Sequence, residues 1–199
     1  MGRLGLFLMV AGWMVAAPPA GAAVPRPAPD YTIRQIDGKR IPLAAYKGKV
    51  VALFFVSTDC PHCQETCRYM EQIQRQYGPR GLQTLAVAFN SMAIMLVQEF
   101  VLRSGATYPV GYDERDPVFA FLQRSPRLQT YVPIMVLIDR KGMIREQHTG
   151  DDPIFMLDPV KREMVQVRAA IERLLAEQPA AAKKKASPAK SARQGSGVK

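Results

Sequence analysis

The sequence predicts an α/β fold, a central mixed β-sheet flanked by helices with a β extension on its N-terminal side. Three observations lead there. "VVALFFVS", from Val50 to Ser57, is an unbroken apolar run rich in valine and phenylalanine, which marks a strand buried on both faces. Runs of that kind alternate along the chain with segments of helical spacing, an order that sets strands parallel beneath helices. The last run, "VPIMVLID", meets the tight turn "RKG" and a further extended piece, "MIREQHT", which together read as an antiparallel hairpin.

The elements follow in order. "YTIRQIDGKRIPLAAYKGKV" reads as a short strand, a turn at Asp37-Gly38 and a second extended piece. After the central strand, Cys60 to Tyr77 has helical spacing, and "GPRG" ends it. "LQTLAVAF" is a second buried strand. Ser91 is placed to cap the next helix, "MAIMLVQEFVLRSG", which Gly105 terminates. "YPVGYD" is a short extended piece, and "DPVFAFLQR" a short helix with Pro117 in its first turn. Beyond the hairpin, "DPVKREMVQVRAAIERLLAEQ" is a closing helix with Met164, Val167, Ile171 and Leu174 on its apolar face. No internal repeat is visible.

The termini differ from this middle. Arg3 followed by the apolar run Leu4 to Ala17 and the small residues Ala20 and Ala22 has the layout of an export signal over residues 1–23. The run is short for a membrane span, which needs about 20 residues. An uncleaved anchor is the alternative. Residues 24–30, "VPRPAPD", read as a proline-rich linker, 31–178 as the folded domain, and 179–199 as a disordered basic tail without apolar residues for a core. The formal net charge of +10 is concentrated there, in Lys183, Lys184, Lys185, Lys190, Arg193 and Lys199. The domain itself is only mildly basic, so the charge does not point to nucleic acid. The expected location is the periplasm or another exported space, where disulfides persist.

All three cysteines lie in "FFVSTDCPHCQETC", from Phe54 to Cys67. Cys60 falls where the central strand hands over to its helix. A helix start offers free N–H groups and a positive dipole end, which stabilise a thiolate. Cys60 is therefore the candidate nucleophile. Cys63, one turn further in, is the candidate resolving thiol. Pro61 and His62 lie between them, and a histidine there can lower the pKa of Cys60. Cys67 shares a helix face with Cys63 and reads as a small buried hydrophobe or as a third redox thiol. A single helical turn closes too short a loop for a useful structural staple.

The combination of "KRIPLAAYKGKVVALFF", "CPHC" at a strand–helix junction, "VPIMVLIDRKG" and the closing helix resembles the thioredoxin superfamily. More narrowly, it is similar to exported thiol–disulfide oxidoreductases of the TlpA and ResA kind, within the AhpC/TSA-related group called redoxins. The resemblance spans Tyr31 to Glu177. It implies a thioredoxin-like fold and a cis-proline at Pro133 beside the redox pair. It also implies exchange with protein thiols or disulfides and with a membrane or soluble redox partner, without a cofactor, in a monomer. Two positions depart from the pattern. Asp59 stands where a tryptophan is usual, and Phe54 where thioredoxin has a buried aspartate that helps move protons.

Two alternatives use the same cysteines. A peroxiredoxin-type peroxidase would use Cys60 as its peroxidatic cysteine, with Ser57 as the hydroxyl three residues before it. A Sco-type copper site would use the CxxxC spacing of Cys63 and Cys67 and a distant histidine, for which His148 is the one available. No phosphate loop, Ser-His-Asp arrangement or nucleic-acid motif is present.

Overall fold

The computed structural model describes residues 23–159 and 163–177. The expected export signal, apart from Ala23, and the whole of the basic tail lie outside them. The described chain forms one eight-stranded mixed sheet. Its strands are β1 (Arg26–Pro27), β2 (Thr32–Arg34), β3 (Arg40–Pro42), β4 (Val50–Val56), β5 (Leu82–Ala88), β6 (Val110–Tyr112), β7 (Ile134–Ile138) and β8 (Met143–His148). Across the sheet they run β1-β8-β7-β4-β5-β6-β2-β3. β4, β5 and β6 are parallel, while β7 is antiparallel to β4 and β8 antiparallel to β7. The alternation predicts a parallel pair or trio with a terminal hairpin, and the sheet has a trio with that hairpin.

Four helices cover the sheet: α1 (Pro61–Tyr77), α2 (Ala93–Ser104), α3 (Arg115–Leu122) and α4 (Val165–Ala176). Successive β4 side chains point to opposite faces. Val50, Ala52, Phe54 and Val56 join a core with α1, α2 and α4, including Cys63, Cys67, Met70, Phe100 and Ile171. Val51, Leu53 and Phe55 join a second core with α3 and Ile33. Phe54 and Phe55 are both fully buried. Burial of each such side chain stabilises the fold by about 1.5–3 kcal/mol.

The structure revises three local expectations. The proline-rich stretch read as a linker contains β1, which pairs Arg26 with Ile144 and Pro27 with Met143 at the edge of the sheet. An edge strand tolerates a residue without an N–H. Ser91 does not cap α2. The N-cap is Met92, with no side-chain bond, and the Asn90 carbonyl accepts the Ala93 N–H at 2.9 Å. The closing helix begins at Val165 rather than near Asp158, because Asp158 and Glu163 form an antiparallel bridge before it. Its expected apolar face holds, with Met164, Val167, Ile171 and Leu174 all buried. Gly105 ends α2 at φ 67°, a conformation that glycine adopts without a Cβ penalty.

Candidate active site

The site lies where the carboxyl end of β4 meets the amino end of α1. Pro61 occupies the first turn of α1, where its missing N–H costs nothing. Cys60 is the N-cap, with extended backbone, and its Sγ accepts the Cys63 backbone N–H at 3.2 Å. The loop leading into it is held from β5. The Asn90 side chain accepts the Thr58 backbone N–H at 3.1 Å and donates to the Thr58 hydroxyl at 2.9 Å. Asp59, in place of the usual tryptophan, is exposed and accepts from the Ser57 hydroxyl. The sequence reading missed Thr58 and Asn90. The available signal was an asparagine directly after a buried strand, a position where the side chain can bond loop backbone.

All three cysteines are free thiols, and their surroundings differ. Cys60 is half-buried. The hydrogen bond from Cys63 brings its pKa down to about 6, against the opposing effect of burial, with further help from the Cys63 N–H and the His62 charge. Cys63 is fully buried, and its pKa is raised because its thiol donates to Cys60 and because it is desolvated. Cys67 is fully buried one turn deeper. Burial pushes it up to about 12, and the hydroxyl of buried Tyr108 beside it donates to the Cys67 backbone carbonyl at 3.1 Å. Phe54, in place of the proton-moving aspartate, is part of the apolar wall behind the pair.

Pro133 follows a cis peptide bond from Val132, as the resemblance implies, and is buried. The antiparallel register of β4 and β7 pairs Phe55 with Ile134, so Pro133 and the loop carrying Cys60 share one end of the sheet. Val132 and Cys60 pack against the same core. Gly150 closes on this loop from β8. A Cβ there would lie 2.4 Å from the Val132 carbonyl oxygen and 3.0 Å from the Pro133 nitrogen. An open groove of about 720 Å³ runs alongside, lined among others by Ser57, Phe89, Ile94, Tyr112 and Val132.

His62 is half-buried, and its ring meets Phe155 edge-on at 6.0 Å between centroids. His148 does not join the cysteines. Its two ring nitrogens lie 2.7 Å from an Asp152 carboxylate oxygen and 3.1 Å from one of Glu146. Among the described residues, no group of three or more His, Cys, Asp or Glu side chains is placed to hold a metal ion. The histidine that a Sco-type constellation would use is therefore engaged elsewhere.

Comparison with known proteins bears on the family and the fold. Residues 24–147 match the AhpC/TSA family. The chain is 31% identical over 128 residues to the thiol-disulfide oxidoreductase ResA of Geobacillus thermodenitrificans, covering 64% of this chain and 70% of that one. It is 30% identical over 124 residues to ResA of Bacillus thuringiensis strain Al Hakam, covering 62% and 68%. A solved thiol:disulfide interchange protein of the thioredoxin family from Chlorobium tepidum TLS superposes with a TM-score of 0.61 at 25% identity, over 77% of this chain and 99% of that one. The chain belongs to the AhpC/TSA family, as a thioredoxin-like enzyme of the thiol–disulfide oxidoreductase class.

Proposed function

We propose that this protein works in an exported compartment and exchanges the Cys60–Cys63 dithiol or disulfide with protein thiols and disulfides. The observation that carries this reading is the contrast within one turn of α1. Cys60 is accessible and has a pKa brought down to about 6, while Cys63 lies buried behind it and keeps its proton. Such a pair suits a nucleophile and a resolving thiol.

In the reducing direction the Cys60 thiolate attacks a substrate disulfide. A mixed disulfide forms, the substrate S–S bond breaks, and the departing substrate thiolate takes up a proton. Cys63 then loses its proton and attacks the Cys60 sulfur. That releases the second substrate thiol and leaves a Cys60–Cys63 disulfide, with two electrons passed to the substrate. Oxidation of a substrate dithiol is the same path reversed. Pro133 would meet the substrate chain beside Cys60, and the groove lined by Ile94 and Val132 offers room for it. Pro61 and His62 shape and charge the mouth of the site.

The domain organisation proposed with this function is an export signal over 1–23, the folded domain to 178 and a basic tail over 179–199. Among the described residues no helix is long and apolar enough to cross a membrane.

Trapping tests the mechanism. Cys63→Ser is expected to accumulate mixed disulfides with substrate through Cys60, read by mass spectrometry, and Cys60→Ser to accumulate none. Insulin reduction measured beside peroxide consumption separates exchange from the peroxidase alternative. Rapid peroxide turnover that survives Cys63→Ser, with no insulin reduction in the unaltered protein, would overturn the proposal.

A further inference from the structure

The segment from His148 to Phe155 touches both halves of the site. Gly150 packs against the Val132–Pro133 peptide, and its N–H donates to the Tyr131 carbonyl at 2.9 Å. Five residues on, Phe155 sets its buried ring against His62. Two contacts hold this loop in shape. His148, at the end of β8, pairs with Asp152 and closes the turn between them. The other oxygen of Asp152 accepts the Ile154 N–H at 2.9 Å and so caps the short 3-10 turn Pro153–Phe155 that presents Phe155. Glu146 holds the second nitrogen of His148, and Arg173 on α4 holds Glu146 from its other side.

We infer that His148 is a positioning residue for the Cys60 thiolate, acting through Asp152, the Pro153–Phe155 turn and the Phe155–His62 contact. The inference rests on the reading of Cys60 as the redox nucleophile. The chemistry is direct. A protonated imidazole donates to both carboxylates at once, and a neutral one can donate only through a single nitrogen. Glu146 and Asp152 are the charged groups that bear on His148, and they raise its pKa above the ordinary 6.5, Glu146 more than Asp152. The brace is thus complete at low pH and loses a bond as pH rises through the His148 pKa. When it slackens, Phe155 no longer fixes His62, and the charge that helps hold the Cys60 thiolate loses its fixed place.

The test reads the thiolate itself. In the reduced full-length protein, the alkylation rate of Cys60 is followed against pH by mass spectrometry. His148→Gln is expected to raise the Cys60 inflection by about half a pH unit, roughly a threefold loss of rate near pH 5. Asp152→Asn, which keeps an oxygen for the Ile154 N–H, should do the same. In a His62→Ala background neither substitution should add a further loss. Equal losses in both backgrounds, or none in either, would overturn the inference. Should both variants fold poorly, the unaltered protein still decides. The His62 ring resonances must show an inflection at the His148 midpoint, and their failure to do so refutes the coupling. Alkylation reports Cys60 ionisation whether or not the protein exchanges disulfides. Loss of insulin reduction with an unchanged alkylation profile therefore counts against the functional reading and leaves the brace standing.

Discussion

Cys60 and Cys67 stand on the same helix, two turns apart, the first with its pKa brought down to about 6 and the second pushed up to about 12. Cys60 sits at the mouth, where the unpaired N–H groups of the first turn are available and water reaches one side. Cys67 sits in the interior, where those groups are spent within the helix and the thiolate would be desolvated. Cys63, between them, is buried like Cys67 yet donates to Cys60, so it has the chemical role of the mouth and the solvation of the interior. On the proposed mechanism, position along the helix, rather than residue type, separates nucleophile, resolver and core filler.

The largest expected break is Cys60→Ser. Insulin reduction should fall to background, while stability at low pH changes by less than about 1 kcal/mol, because the side chain is only half-buried. A variant with measurable turnover would move the nucleophile into the interior and erase the contrast.

Gly150→Ala attacks the mouth from the opposite side. The added methyl would meet backbone atoms of Val132 and Pro133, which cannot rotate away as a flexible side chain would. A loss of roughly 1–3 kcal/mol is expected, the range for overpacking, together with a drop in exchange rate from a displaced Pro133 loop. Unaltered melting and turnover would show that this loop yields freely. Asn90→Ala should cost about 1–2 kcal/mol for its two bonds to Thr58. It should also loosen the approach to Cys60, seen as a slower insulin reduction.

How far this site could be read in the sequence follows the same division. The interior was legible. The apolar run of β4, the helical spacing from Cys60 to Tyr77 with Cys63 and Cys67 on one face, and the strand–helix junction at Cys60 each leave a local pattern. The supports of the mouth were not. β1 is two residues long, too short to show a period, and it exists through pairing with a strand more than a hundred residues away. Ser91 is a plausible cap by type, yet α2 starts without a side-chain cap, and the role of Asn90 is set by the distant Thr58. Gly150 carries no local signal, and its contact with the Val132–Pro133 peptide exists only in the fold. The cis bond before Pro133 was accessible through resemblance to a family, since a Val-Pro pair alone does not state its isomer.

The pH dependence of stability sharpens the comparison further. Cys60 has a depressed pKa in the folded dithiol form, against an ordinary thiol value of 9.0. Its contribution to stability is therefore fully present above about 9 and lost as pH falls through about 6. Cys63 and Cys67 have raised values, so their contributions are present below 9 and lost above it. The reduced protein should accordingly gain stability over the Cys60→Ser variant between about pH 6 and 9, read as a growing difference in melting temperature. A flat difference across that window would show that Cys60 is not held as a thiolate.

The smallest effect should come from Cys67, and it separates packing from chemistry. If Cys67 is core filler, Cys67→Ala removes one buried sulfur and leaves a small gap among fully packed neighbours. The expected cost is about 1 kcal/mol, at the low end for large-to-small core changes. Cys67→Ser keeps the volume better but buries a hydroxyl that needs a partner. The Tyr108 hydroxyl beside it donates to the Cys67 carbonyl and keeps its own oxygen to accept from that serine. Serine should therefore be no more damaging than alanine, the two differing by less than about 1 kcal/mol. Both variants should reduce insulin at a rate within about twofold of the unaltered protein, since neither touches the Cys60–Cys63 pair. A third redox thiol would give a different pattern: alanine and serine would be equally inactive, whatever their stabilities, because each lacks a sulfur. Denaturation midpoints and insulin reduction measured on the same two samples decide between filler and thiol.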